Sequence, residues 1–428
     1  MAVWGLAASF VCTACVPFHV SGVALHTRDV RPVVVESVKA ENYGAFSCPA
    51  FDREGKRLAV YDSGLNRLRI LRSADLAELA SLEPARRPRR LGFSPSGRFL
   101  VIEAHPGWID DYLGGKGIGA PRAAIDSPAA LRDDIQRATI WDLKTGRMIA
   151  DLCSDTISTR PPQGGWLWAR RWAIVPGYRS AALLEAHFSP DETEFSLLAW
   201  NGVRQRWDVR TWMRLADLPP PVFWAGLHAS APASATRSAD GRWILLQSPG
   251  FPTLYLWDTR TDDLRPLMKE HLTRLPVQAI SSDGRRVVVV GNQGMSPVVR
   301  SWGFLEEKER PLEELKFGLM QGHPRLRGEG VALSPDGQFL AAALLDQEVA
   351  MFATILITGF ELTRSDLCLW RVDDGRLLVT VSLEDLSEGM ATGPLQGLDL
   401  VFSPDGTTLA VCGRMVRIYR VSELVRSP

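Results

Sequence analysis

The chain is 428 residues long and carries 49 basic against 49 acidic side chains, so it lacks the one-sided charge by which proteins hold nucleic acid or anionic membranes. Its six cysteines lack the tight even spacing of a disulfide-stapled secreted module. The length exceeds that of an ordinary domain, although all-β barrels routinely run longer than that norm.

Residues 1–25 contain no Lys, Arg, Asp or Glu. Ala2 to Val16 has the length and apolarity of a signal-peptide core, and Gly22-Val23-Ala24 offers small residues for cleavage. No basic segment precedes it, Pro17 and His19 interrupt it, and it is marginal as a bilayer span. Residues 1–30 are therefore set apart as an apolar leader, whether export signal, anchor or disordered segment. Cytoplasmic placement is slightly favoured, and a membrane is involved only if the leader is an anchor. Cys12-Thr13-Ala14-Cys15 fits C-x-x-C, but no strand and helix follow to support a redox or zinc role.

From residue 31 onward one unit repeats, and a repeat must be recognised before anything else is read. Its signature is Phe-Ser-Pro-Asp-Gly, standing as Phe93-Ser94-Pro95-Ser96-Gly97, Leu333-Ser334-Pro335-Asp336-Gly337 and Phe402-Ser403-Pro404-Asp405-Gly406. Weaker copies begin at Phe51, Phe188, Arg237 and Ile280, giving seven units. Each unit reads as four short strands, a to d. The phrase is the tight a–b turn, because Gly supplies positive φ and Asp hydrogen-bonds its own backbone. In the third unit Glu192 replaces that Gly, which predicts a longer or looser turn.

Strand b follows as Leu58–Tyr61, Phe99–Ala104, Arg286–Val290 and Phe339–Leu345. Strand c ends in Trp141-Asp142, Trp207-Asp208, Trp257-Asp258 or Trp370-Arg371, and outer strands follow at Met148–Leu152 and Leu377–Leu383. The last unit reads as Leu398–Ser403, Thr408–Gly413 and Val416–Val421. Cys368 and Cys412 fall among apolar strand residues and are expected to be buried free thiols.

On these residues the chain resembles a WD-repeat protein over about residues 31–424. Unit six even keeps Gly322-His323 ahead of its first strand. The other units lack Gly-His there. Unit one ends strand c in Ile70, unit five in Trp302 and unit seven in Tyr419. The family's His-Asp-Trp hydrogen-bond network is thus mostly absent, which leaves packing to join the blades. The resemblance implies an all-β, seven-bladed β-propeller and a non-catalytic platform for proteins or peptides, with no cofactor or metal. The last unit has too few residues left for a fourth strand, and Val33–Val38 has no partner ahead of unit one. These two are expected to pair and close the ring, which removes exposed sheet edges. The aromatic of each third strand accounts for many of the 14 Trp.

Insertions depart from the period. Gly55 to Ile70 spans 15 residues and Gly241 to Trp257 spans 16, but Gly97 to Trp141 takes 44 and Gly337 to Trp370 takes 33. The link from Trp141 to Phe188 is also long. Antiparallel strands alternate in direction, so b–c loops and d-to-a links leave from one face. Long loops on a rigid scaffold concentrate binding residues. Candidate partner-binding residues there are Trp108, Trp166, Trp168, Arg170, Arg171, Trp172, Phe352 and Phe360, since Trp and Arg are enriched at interface hot spots. The competing expectations are that the Trp166–Trp172 rings pack on their own blade, and that Val349–Phe360 merely lengthens a hairpin.

Other motifs carry less. Gly114-Gly115-Lys116-Gly117-Ile118-Gly119 lacks the strand, helix and Ser/Thr of a phosphate loop. Asp110, Asp111, Asp133 and Asp134 lack calcium-loop spacing. Arg86-Arg87-Pro88-Arg89-Arg90 reads as a solvated linker, and Pro219-Pro220-Pro221 with Phe223 and Trp224 as a stiff link between units. An enzyme would need polar groups at the ends of strand a, where small and apolar residues are expected, so catalysis is disfavoured. The rival reading is an exported or lipid-anchored propeller that binds carbohydrate on the same Trp cluster.

Overall fold

The computed structural model describes residues 34–36, 45–104, 137–153, 183–199, 202–224, 234–247, 254–268, 277–293, 296–303, 330–349, 360–383 and 398–425. Strand β1 (Val34–Glu36) comes first. Unit one holds β2 (Phe46–Phe51), β3 (Arg57–Asp62), β4 (Arg67–Arg72) and β5 (Glu78–Leu82). Unit two holds β6 (Pro88–Phe93), β7 (Phe99–Ala104), β8 (Arg137–Asp142) and β9 (Arg147–Cys153). Unit three has β10 (Leu183–Phe188), β11 (Glu194–Ala199) and β12 (Arg204–Asp208). Unit four has β13 (Ser234–Arg237), β14 (Trp243–Gln247), β15 (Leu254–Asp258) and β16 (Asp263–Met268). Unit five has β17 (Val277–Ile280), β18 (Arg286–Gln293) and β19 (Ser296–Gly303). Unit six has β20 (Val331–Leu333), β21 (Phe339–Val349), β22 (Phe360–Arg371) and β23 (Leu377–Ser382). Unit seven has β24 (Asp399–Phe402), β25 (Thr408–Cys412) and β26 (Val416–Arg420), then a short helix α1 (Val421–Val425).

Each unit is one antiparallel sheet of strands in chain order, and β1 lies beside β26 with Val34 opposite Ile418 and Glu36 opposite Val416. Among the described residues the units of three and five show three strands rather than four. In unit three, residues 213–218 run along β12 through isolated bridges, Trp207 opposite Arg214 and Arg204 opposite Leu218.

The recurrent phrase builds its turn locally. In unit six the Ser334 hydroxyl donates to Asp336 Oδ1 at 2.6 Å and accepts from Phe339 N–H at 2.9 Å. Asp336 Oδ1 also accepts from Gln338 N–H, and Gly337 takes a φ of 71°. Ser403, Ser281, Ser238 and Ser189 repeat this with Asp405, Asp283, Asp240 and Asp191. In unit one Asp52 replaces the Ser and accepts from Lys56 and Arg57 N–H. The turns also lean on one another. A Cβ on Gly284 would stand 1.9 Å from Trp243 of the preceding unit, so the neighbour as well as φ demands glycine there.

Glu192 corrects the expectation of a looser turn. Its N–H still reaches Ser189 O at 2.9 Å, and the residue accepts a left-handed φ of 57°. That conformation costs about 1 kcal/mol without glycine. Its carboxylate offsets the cost by crossing to unit two, where Ser96 N–H and Oγ–H donate at 2.6 and 2.8 Å. Ser96 is itself where the phrase has Asp. An Asp there would repel Glu192, so the two departures fit each other.

Apolar faces of neighbouring sheets form the core. Trp257 and Trp370 are fully buried on third strands, and Tyr419 nearly so. Leu184 and Leu198 of unit three meet Ile244 and Trp257 of unit four. Phe46 and Leu58 of unit one meet Ala410 and Val416 of unit seven. Each such side chain contributes about 1.5–3 kcal/mol on burial. Cys368 and Cys412 sit in this core, and burial raises the Cys412 thiol pKa well above its ordinary value.

Packing is not the whole of the joint between units. Arg57 Nη2 donates to Gly97 O at 2.8 Å, Ser282 N–H to Pro335 O at 3.0 Å, and Cys48 N–H to Asp399 Oδ2 at 2.7 Å. Polar contacts absent from the family's motif thus join these sheets. The arrangement is that of an all-β β-propeller. Gly322-His323 lies outside the described residues.

Candidate functional site

Strand register shows where the long connections leave. Ala104 stands opposite Arg137, and Arg137 opposite Cys153, at one end of the unit-two sheet. From that end run residues 105–136, which hold Trp108, and residues 154–182, which hold Trp166, Trp168, Arg170, Arg171 and Trp172. We call this end of each sheet the link rim, and the end with the a–b turns the turn rim. Those six candidates and Phe352 lie outside the described residues. Phe360 opens β22, opposite Val349.

In unit six the insertion extends the b–c hairpin. β21 and β22 run to 11 and 12 residues, yet β20 reaches only Ala342 and β23 only Asp366. The pairs from Leu345–Ser365 to Val349–Phe360 therefore continue as a two-stranded ribbon. At 3.4 Å per residue it reaches roughly 17 Å past the sheet.

The inner strands carry a feature the sequence reading missed. Register shifts interrupt β2 between Ser47 and Ala50, β6 between Pro88 and Arg90, and β10 between Leu183 and Glu185. Bulges re-aim side chains. Here they accompany a charged cluster shared by units two, three and four. Glu103 and Glu185 are 2% and 3% exposed. Glu103 Oε1 accepts from Ala186 N–H at 2.9 Å, and Glu185 Oε1 from Arg237 Nε at 2.7 Å. Arg90 reaches past unit three to Ala235 O at 3.1 Å, and Arg89 to Leu183 O at 3.3 Å. His187 Nδ1 lies 3.9 Å from Glu185 Oε2.

Burial, then Arg237, push the His187 pKa down to about 3, so its imidazole is neutral near pH 7. Burial opposes ionisation of Glu185, but Arg237 and the other neighbours outweigh it and leave the pKa lowered. Among the described residues, Glu103 Oε2, Glu185 Oε2, His187 Nδ1 and Arg237 Nη2 are buried without a hydrogen-bond partner. The cluster has acid–base groups, and among the described residues no Ser or Cys nucleophile is bonded to the imidazole.

Two expectations are corrected here. Strand a is not uniformly small and apolar, and Arg89–Arg90 belong to β6 rather than to a solvated linker. The signal was available, because residues just ahead of the phrase always fall on strand a. The Pro219–Pro221 link does anchor by its aromatics: Trp224 is 2% exposed, and its ring and that of Phe223 lie 5.9 and 5.6 Å from Trp257.

The chain matches no protein-family model and no curated protein sequence. It does resemble a solved structure, the crystal structure of the Cps50 (Swd1) β-propeller domain of Myceliophteria thermophila. That domain is 16% identical, the alignment covers 88% of this chain and 96% of that one, and the TM-score is 0.53. The likeness agrees with the WD-repeat resemblance on the fold, a β-propeller.

Proposed function

We propose that the seven sheets are blades of one closed propeller, with β1 as outer strand of the last blade, and that the protein is a non-catalytic scaffold for a protein or peptide partner. Its docking surface is the link rim. The observation that carries this reading is the register at Ala104, Arg137 and Cys153, from which both long unit-two connections depart at one end of the sheet. The unit-six ribbon extends the b–c side of its own blade in the same sense. Contacts of unit one with both β24 and β26 support the closed ring. A fold alone does not fix function, so the site must be tested directly.

Trp166, Trp168 and Trp172 are replaced together by Ala, and the full-length chain is purified from its own cells with whatever it holds. Proteins held by the wild type should be depleted at least about tenfold in the variant, a loss of about 1.4 kcal/mol or more. The β-sheet circular dichroism should persist. Unchanged capture, or loss of the fold, would remove these rings from the docking surface.

A further inference from the structure

We infer that Leu218–Pro221, with the exposed Val222 that follows it, is a presented polyproline ligand, read by a partner whose groove is lined with aromatic rings. This surface lies past the outer edge of unit three and includes none of the candidate residues above. The sequence runs Leu218-Pro219-Pro220-Pro221-Val222. Proline fixes φ near −65°, and a residue before proline is held extended, so Leu218, Pro219 and Pro220 are all driven to the polyproline II conformation. That helix has three residues per turn.

Burial follows the same period. Leu218 is half-buried and Pro221 buried, three residues apart, while Pro219, Pro220 and Val222 are exposed. Val222 is 96% exposed, an unusual degree for a β-branched apolar side chain. One edge of the three-sided helix thus faces the protein while Pro219 and Pro220 face outward, and Val222, the first residue of a short helical turn over 222–224, stands exposed next to them.

Both ends are fixed. Leu218 N–H and C=O bond to Arg204 at 2.9 and 3.1 Å, and Trp224 N–H bonds to Pro221 O at 2.9 Å while its ring is buried. Proline supplies no N–H, so the stretch cannot donate to a fourth strand there. Pro219 and Pro220 carbonyls have no backbone partner among the described residues. They are acceptors for the ring N–H and O–H donors that proline-reading grooves carry. Little chain entropy remains to be lost on docking, because the conformation is already set.

The test measures binding of the full-length chain to immobilised SH3, WW and EVH1 domains, the three aromatic-groove classes that read such helices. At least one class should bind, and both the double variant Pro219→Ala/Pro220→Ala and the single variant Val222→Asp should weaken it at least about tenfold. Met213→Ala, which removes another exposed apolar side chain on the same edge, should leave it unchanged. Thermal unfolding checks each variant. If the double proline variant loses its fold, Val222→Asp decides alone, since that side chain touches almost nothing. Binding to none of the three classes, or equal binding by wild type and Val222→Asp, overturns the proposal.

Discussion

The turn rim and the link rim are built from the same strands by opposite means. At the turn rim five of the seven units fold the phrase with their own Ser and Asp, within five residues, and the result recurs from unit to unit. At the link rim the connections differ in every unit, and along the first strands of units two to four the charged cluster joins residues up to 145 positions apart. Local chemistry gives regularity, whereas long-range pairing gives individuality. Binding surfaces are drawn from the second kind.

The sharpest way to break this contrast is to cut the buried pair. Arg237→Met removes the guanidinium that holds Glu185 and leaves a carboxylate stranded in the core. A loss of about 3–5 kcal/mol is expected in urea unfolding, as for other buried pairs broken on one side. A loss below about 1 kcal/mol, typical of an exposed pair, would show that the cluster is solvated.

Acid should probe the same cluster more gently. The His187 pKa is depressed from 6.5 to about 3, so below pH 6.5 the unfolded chain takes up a proton that the folded chain refuses. Stability is therefore fully present above 6.5 and falls as pH drops, approaching about 1.4 kcal/mol per pH unit for this one group. Between pH 6.5 and 4.5 the unfolding free energy of His187→Gln should fall less steeply than that of the wild type. Parallel slopes would mean that the imidazole protonates freely.

The smallest effect sharpens the other rim. Ser96→Ala and Glu192→Gly each remove one side of the clasp between units two and three, and the second also relieves a strained φ. Glu192→Gly should be close to neutral, while a double-mutant cycle should return a coupling of about 1 kcal/mol. Additive effects would show that the two departures from the phrase are unrelated.

Much of the fold was legible because its signals are short-range. The strand predicted at Phe99–Ala104 is β7, and Thr408–Gly413 overlaps β25 to within one residue. The third-strand aromatics are buried where the pattern placed them at Trp257 and Trp370. What stayed hidden involves two units at once. Nothing near Glu192 says that its carboxylate will replace a missing glycine by reaching Ser96. The run Arg86–Arg90 reads as a solvated charge stretch because Glu103, Glu185 and the Ala235 carbonyl, near its Arg90, lie far away in sequence. Of the candidate docking residues only Phe360 falls in a described strand.

The register of Val34 against Ile418 has a consequence for biogenesis. The sheet of unit seven draws on both ends of the described chain, so the ribosome delivers its outermost strand first and its other three last. At about 5–20 residues per second, β1 waits on the order of tens of seconds for β26 to emerge. For that interval its backbone donors and acceptors have no native neighbour, and nascent-chain chaperones would find an unpaired strand there.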